Sequence, residues 1–151
     1  MVSPELLRRY PFFCCLDEAQ QKAVAMISEE VNCDKGKTLF EEGQPVHALH
    51  LLLEGSVDLY YTGSGDHHDQ FLVGEINPGE PFGISALIEP YAFTATARVA
   101  APSRILKIEA AGLRALCEVD CKMGDALMRQ IAKIALERLH YTRLQLAAAH
   151  A

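Results

Sequence analysis

The sequence contains no run of about 18 uncharged apolar residues, the length that a membrane-spanning helix needs. Its first residues also lack the apolar core and the small-residue cleavage site of a secretory signal. No cluster of Lys or Arg stands out in a chain whose net charge is -6, and nucleic-acid affinity depends on basic side chains that neutralise phosphates. We therefore expect a soluble, cytoplasmic protein that neither enters a membrane nor binds nucleic acid directly.

A disulfide framework and a catalytic constellation are also absent. The five cysteines are odd in number and follow no regular spacing, which predicts reduced thiols. Ser85 lies in GISAL, which lacks the second glycine of a nucleophile elbow, and no base is near it in sequence. The loop GDHHD places His67 and His68 beside carboxylates, but adjacent residues on a tight loop rarely converge on one ion. We predict neither an enzyme nor a metal site.

Three segments of different character fill the 151 residues, a length that suits one compact domain. The predicted boundaries are an N-terminal helical segment 1–34, a strand-rich segment 35–109 and a C-terminal helical segment 110–151. In the first segment, Ser3 is a typical helix N-cap, and a second helix is predicted to run from Asp17 through Val31.

The middle segment consists of short β-rich runs separated by turn residues. The predicted strands are KTLF, ALHLLLE, SVDLYY, QFLVGEI, ATARVAA and SRILKIEA. Gly43 and Gly55 are expected where hairpins reverse, and Val57 and Leu59 are expected to face inward. The predicted fold class is mainly β with flanking helices: an antiparallel β-roll or jelly roll of the double-stranded β-helix type, with N-terminal helices and a long C-terminal helix.

The last segment returns to helical periodicity. AAGLRALCEV is predicted as a short helix, and one long helix is predicted from Cys121 to about Ala149. The long helix carries two apolar stripes: Met128, Ala132, Ala135, Leu139, Thr142 and Leu146, and Leu127, Ile131 and Ile134. One stripe can cover the roll while the other meets its counterpart in a second copy, which predicts a homodimer. In the alternative, both stripes pack within one monomer.

The order of these elements resembles one protein family. Short helices are followed by LHLLLEGSVDLYY, PGEPFGISALI, ATARVAAPSRILKIEAAGLRAL and the long helix. This order is similar to the cyclic-nucleotide-binding domain family, above all to the sensor half of bacterial regulators of the catabolite-activator type. The resemblance implies that Gly79 and Gly83 bracket a turn into ISALI. In the family, a phosphate there meets backbone N–H groups and the positive end of a helix dipole.

The sequence departs from the family at two polar positions. The resemblance implies a Glu directly after the Phe-Gly pair, which binds the ribose, and an Arg further along, which pairs with the phosphate. Here Ile84 and Phe93 occupy these positions. Because a hydrogen bond to a charged group contributes roughly 1.5–3 kcal/mol, loss of the Arg weakens phosphate binding by about one to two orders of magnitude. Tight binding of cyclic AMP or cyclic GMP is therefore not expected, unless a cationic side chain from elsewhere lies over this turn.

The predicted ligand site lies between the roll and the long helix. Its residues are Phe82, Gly83, Ile84, Ser85, Ala86, Phe93 and Thr94. Arg98 is expected on the same strand face as Thr94 and Thr96, either as a substitute anion contact or as a surface residue. His140 is a remote candidate for a haem ligand, while the stretch 69–116 contains no Cys or His, so no cofactor is predicted.

We predict a non-catalytic regulatory or sensor module of the cyclic-nucleotide-binding-domain type. A small apolar effector would fill the site and shift the angle or the dimer contacts of the long helix. One alternative is a cyclic-nucleotide-binding protein that uses backbone amides and Thr94 at reduced affinity. Another is a ligand-free dimerisation or scaffold module.

Overall fold

A computed structural model of the chain describes residues 1–63 and 69–151. Its helices are α1 Pro4–Arg8, α2 Glu18–Met26, α3 Ala110–Val119 and α4 Cys121–Ala149. Its strands are β1 Ser28–Cys33, β2 Thr38–Phe40, β3 Ala48–Thr62, β4 Gln70–Ile76, β5 Pro81–Phe82 and β6 Thr96–Glu109. Short 3₁₀ turns at Pro11–Phe13 and Ile84–Leu87 precede α2 and follow β5. Among the described residues, no helix is both long and apolar enough to cross a bilayer.

One antiparallel sheet forms the roll, as predicted. β1, β6, β3 and β4 lie side by side in that order, while β2 pairs with β6 and β5 pairs with β3. The long strands β3 and β6 occupy the centre, and their inward side chains form the core. Leu52, Val57 and Ile105 are fully buried, and Leu59 packs against them from the rim. The prediction that Val57 and Leu59 face inward is confirmed.

The predicted hairpin reversal at Gly55 is wrong, because β3 and β6 each continue through a bend. Gly55 lies inside β3 at φ +107 and faces Pro102 and Ser103 of β6. A Cβ on Gly55 would lie 2.2 Å from Ser103 Oγ and 2.7 Å from the Pro102 carbonyl oxygen. Pro102 has no N–H to donate, and it lies where the register of the two strands shifts. We call this joint bend of the two central strands the crease.

The N-terminal segment begins as predicted and ends differently. The Ser3 side chain accepts a hydrogen bond from the Glu5 N–H at 3.3 Å, and Asp17 caps α2 in a reciprocal pair with Gln20. The predicted helix through Val31 is wrong beyond α2, because residues 28–33 form β1 and pair with β6. The boundary at residue 34 between the first two segments stays a prediction. Strand β1 of the first segment is hydrogen-bonded to β6 of the second.

α4 spans the predicted residues and presents two different faces. Leu127 and Ile131 are buried against the domain. Met128, Leu139 and Leu146 are 41%, 43% and 59% exposed. The predicted stripe that contains Leu127 and Ile131 therefore packs on the domain. Met128, Leu139 and Leu146, which belong to the other predicted stripe, face outward. Ala135 and Thr142 depart from the outward stripe, because they line the cleft described next.

Candidate functional site

A cleft of about 790 Å³ separates α4 from the roll. Strand β4 and the residues after it form one wall, the segment 83–95 forms the second, and α4 forms the third. The lining residues are Phe40, Leu59, Val73, Gly74, Glu75, Ile76, Asn77, Glu80, Gly83, Ile84, Ser85, Phe93, Thr94, Ala95, Ala135, Glu137, Arg138, Tyr141, Thr142 and Gln145. We call this space the α4 cleft.

Gly83 shapes the inner end of the α4 cleft. It has φ +67 and ψ 35, the left-handed conformation that favours glycine, and it starts the 3₁₀ turn Ile84–Leu87. A Cβ on Gly83 would lie 3.2 Å from His50 Nδ1 and 3.2 Å from Phe93 Cε1. Both the backbone angle and the packing therefore require glycine here.

The structure brings five of the seven predicted site residues to the cleft. These five are Gly83, Ile84, Ser85, Phe93 and Thr94. Phe82 and Ala86 do not line it. Phe82 is 0% exposed because β5 pairs with β3 and stacks the ring on His50, and Ala86 is buried beneath the turn. Both residues support the site from the core, and their predicted role as ligand contacts stays a prediction.

Phe93 belongs to the core as much as to the cleft. Its side chain is 2% exposed, and its ring stacks on Phe40 with a centroid distance of 3.7 Å and an interplanar angle of 6°. The position at which the family resemblance implies a phosphate-binding Arg therefore holds a packed aromatic ring. A charged side chain in this place would disrupt the stack and lose solvation.

His50 lies beneath the turn, and the sequence analysis did not include it among the site residues. The residue is 1% exposed, and its Nδ1 has no hydrogen-bond partner among the described residues. Burial, together with the charge of Lys107 and the neighbouring His47, lowers the pKa of His50 to about 3. The ring is therefore neutral at physiological pH. No signal in the sequence distinguishes it from the exposed His47.

Arg138 brings a cation into the cleft, and the sequence analysis missed it. The residue is half-buried, and its Nη2 donates a hydrogen bond to the carbonyl oxygen of Pro81. Arg138 follows Ala135 by three residues and precedes Thr142 by four, so the three share one face of α4. That spacing is the signal that could have identified it. Arg138 lines the same cleft as Gly83, and its hydrogen bond goes to Pro81 in β5 rather than to the turn.

Carboxylates also border the cleft. Glu75, Glu80 and Glu137 line it, and Glu80 Oε1 accepts a hydrogen bond from the Asn77 N–H at 3.0 Å. Burial lowers the pKa of Arg138, and the negative charges of Glu80 and Glu137 oppose this shift. A guanidinium remains protonated at neutral pH in spite of such a shift. The lining thus carries one positive side chain and three acidic ones.

Arg114 links the turn to the helices. Its Nη1 donates a hydrogen bond to the Ala86 carbonyl oxygen at 2.7 Å, and its guanidinium lies 4.3 Å from the centre of the Tyr91 ring. Because Arg114 belongs to α3, which packs against α4, the turn and both C-terminal helices form one connected unit. The turn is therefore linked to α4 through Arg114 and α3, and β5 is linked to α4 through Arg138.

The remaining sequence candidates lie elsewhere. Arg98 donates to Gln70 Oε1 at 3.1 Å and covers the Tyr60 ring, so it is not part of the cleft. The expected common face with Thr94 is wrong, because Thr94 precedes the start of β6. His140 is exposed on α4.

The histidine loop proposed as a weak metal candidate, His67 and His68, lies outside the described residues. Within residues 1–63 and 69–151, no group of three or more His, Cys, Asp or Glu is placed to hold a metal ion.

Comparison with known proteins identifies the family. Residues 30–120 match the model of the cyclic nucleotide-binding domain. The chain belongs to the cyclic nucleotide-binding domain family. The predicted family, the β-roll and the regulatory class are thereby confirmed, while the match leaves the ligand of this chain undetermined.

Solved structures of cyclic nucleotide-binding domains and related sensors share the fold. A structure from Geobacter metallireducens GS-15, described as a "Putative Cyclic nucleotide-binding protein", is 40% identical with a TM-score of 0.82, covering 93% of this chain and 100% of that one. The N-terminal domain of a transcriptional regulator from Streptomyces coelicolor A3(2) is 29% identical with a TM-score of 0.68, covering 87% and 93%.

Curated relatives are longer proteins that contain this domain. The cAMP-dependent protein kinase regulatory subunit of Dictyostelium discoideum is 30% identical over 95 residues, which cover 61% of this chain and 29% of that subunit. The chain spans 20% of the length of another curated relative, from Arabidopsis thaliana. The resemblance to these relatives therefore concerns only a part of each.

Proposed function

We propose that the chain is a non-catalytic sensor module that binds a small effector in the α4 cleft and transmits binding through α4. The observation that supports this is the construction of the cleft, whose walls come from the Gly83 turn and from α4. A ligand in it contacts both. If the ligand binds one angle of α4 better than another, it shifts the population of that helix by its difference in affinity.

Cyclic AMP and cyclic GMP are not tight ligands in the pose usual for the family. Ile84 replaces the ribose-binding carboxylate, and the packed Phe93 ring replaces the phosphate-binding Arg. Each lost contact to a charged group weakens binding by roughly one to two orders of magnitude. We expect dissociation constants above about 1 μM. Residual binding through backbone amides and Thr94, which is exposed at the cleft, is compatible with this range.

The experiment that tests the sensor function is hydrogen–deuterium exchange with millimolar cyclic AMP and cyclic GMP as probes, combined with calorimetry. Protection should change in two separated segments, residues 83–95 and α4, and should saturate at the same probe concentration in both. A change confined to other segments would contradict the proposed site. A dissociation constant below about 1 μM would contradict the predicted weak binding.

The outward face of α4 supports a homodimer. Leu139 and Leu146 are 43% and 59% exposed, on the stripe with coiled-coil spacing. We propose that a second copy covers them. Light scattering should detect a dimer for wild type and for the control Lys133→Gln, and a monomer for a variant carrying Leu139→Glu and Leu146→Glu. A dimer in the double variant would refute this interface.

A ligand-free dimerisation module is the second candidate function, and the same exposed stripe favours it. The hydrogen–deuterium exchange experiment distinguishes this scaffold function from the sensor function. In a scaffold, neither cyclic AMP nor cyclic GMP changes the exchange of the turn and of α4 together. The cytoplasmic location and the absence of direct nucleic-acid binding remain predictions from composition and charge.

A further inference from the structure

Arg138 is a feature of the α4 cleft that the family resemblance does not explain. Its guanidinium has five N–H donors, and among the described residues its side chain makes one hydrogen bond, to the neutral carbonyl oxygen of Pro81. None of the ion pairs within this part of the chain includes it. A half-buried cation with a neutral acceptor is incompletely satisfied, and an anionic acceptor is a stronger partner for it.

The surroundings of the guanidinium restrict the charge of such an anion. Glu75, Glu80 and Glu137 line the same cleft, and Glu75 and Glu137 are exposed, so solvent screens them in part. A ligand with one negative charge gains the contact with Arg138 at a modest repulsion. A second charge on the ligand adds repulsion from the three carboxylates without a second cation to offset it.

The uncharged part of a ligand meets a different surface. Ile84 and Phe93 contribute apolar area on the side of the turn, and the ring of Tyr141 adds an aromatic face from α4. Thr142, on the same helix face, offers a hydroxyl. The cleft therefore suits a compact apolar or aromatic body that carries an anionic group toward Arg138.

We propose that Arg138 is the anion-recognising residue of this cleft, and that its ligand is a small organic monoanion with an apolar or aromatic body. This inference rests on the proposed sensor function and names its ligand class. In the structure, Arg138 ties α4 to Pro81. The anion takes the place of the Pro81 carbonyl oxygen as acceptor, so that binding releases this tie and changes the angle of α4.

The tie itself is tested without any ligand. Hydrogen–deuterium exchange should be faster in residues 132–149 of Arg138→Gln than in wild type. Arg143→Gln is the matched control, because Arg143 is an exposed arginine on the same helix. Equal exchange in Arg138→Gln and Arg143→Gln would overturn the tie.

The ligand class is tested by calorimetry with three probes that share a base and a ribose: adenosine without charge, cyclic AMP with one charge, and 5′-AMP with about two at pH 8. Wild type and Arg143→Gln should bind cyclic AMP at least about tenfold more tightly than adenosine, and more tightly than 5′-AMP. In Arg138→Gln, the preference for cyclic AMP over adenosine should fall to within about twofold, while Arg138→Lys keeps part of it.

The outcomes separate this inference from the function on which it rests. If wild type binds adenosine and cyclic AMP equally well, or if Arg138→Gln keeps the full preference, the role of Arg138 is refuted and the sensor function stands. If 5′-AMP binds best, the selection for a single charge is refuted. If wild type binds none of the three probes, the inference fails together with the proposed sensing of small effectors in this cleft.

Discussion

Replacement of His50 by Leu is expected to flatten the pH dependence of the protein's stability. His50 is 1% exposed, and its ring lies 5.0 Å from the centre of Phe82 and 5.2 Å from that of Phe40. Burial is the main cause that lowers the pKa of His50 from its ordinary value of 6.5 to about 3, with Lys107 and His47 adding to it. Between these two pH values, His50 therefore binds a proton in the unfolded chain but not in the folded protein.

The sign and size of the effect follow from this difference. The stability that depends on a neutral His50 is complete above pH 6.5 and is lost as the pH falls toward 3. Each pH unit in this window corresponds to about 1.4 kcal/mol. From pH 6.5 to about pH 4.5, the free energy of unfolding of wild type should therefore decrease by about 2.3 kcal/mol more than that of His50→Leu.

Urea denaturation followed by circular dichroism at a series of pH values measures this difference. Near pH 7, His50→Leu should be about as stable as wild type, because the change removes a buried Nδ1 that has no hydrogen-bond partner among the described residues. His140→Leu is the control, since His140 is exposed on α4 and its loss should leave the slope unchanged. Equal slopes for wild type and His50→Leu would refute the assignment of His50 as a buried, neutral residue.

Three further changes test the fold around the site. Gly55→Ala should lower the free energy of unfolding by about 3 kcal/mol or more, whereas Gly36→Ala, at φ +93 with no atom within 4 Å of its Cβ, should lower it by about 1–2 kcal/mol. Equal losses in urea denaturation would contradict the close approach at the crease. Arg114→Met should destabilise by about 1–3 kcal/mol and accelerate hydrogen exchange in residues 84–91, because it removes the bond to Ala86 and the contact with Tyr91; unchanged exchange would contradict the link. Asp120→Ala should lower the free energy of unfolding, measured by thermal denaturation, by about 1 kcal/mol because it removes the N-cap of α4. Asp120→Asn should retain most of the wild-type stability, an order of stabilities that a purely electrostatic role of Asp120 would not produce.

Elements with local signals were predictable from the sequence. Ser3 and Asp17 begin helices because a side chain of that type caps the N–H groups within the next three residues. The limits of α3 and α4 follow from the break at Asp120, which is again a local cap. Family resemblance added the position of the Gly83 turn, because that turn requires a left-handed residue between a strand and a 3₁₀ turn.

Features that depend on distant partners were not predictable in the same way. Residues 28–33 follow a helical period in sequence, yet they form a strand because residues of β6 that lie 70 to 80 positions later supply the hydrogen bonds. Gly55 and Pro102 each predict the end of a strand when they are considered separately. In the structure they lie close together, so both central strands bend at the crease and continue. Arg138 reaches a cleft whose loop lies more than 40 residues earlier, so a search confined to residues 82–94 could not find it.

The length of α4 beyond its support has a mechanical consequence. Its last fully buried residue is Ile131, and the helix continues for 18 residues to Ala149, about 27 Å at 1.5 Å per residue. Arg138 lies about 10 Å beyond Ile131. With Ile131 as the pivot, a displacement of about 2 Å at Arg138 becomes roughly 5 Å at the far end, a gain of about 2.6 set by geometry alone. With this pivot, a shift at Arg138 no larger than the exchange of one hydrogen-bond acceptor is enlarged at the exposed C-terminal end of α4.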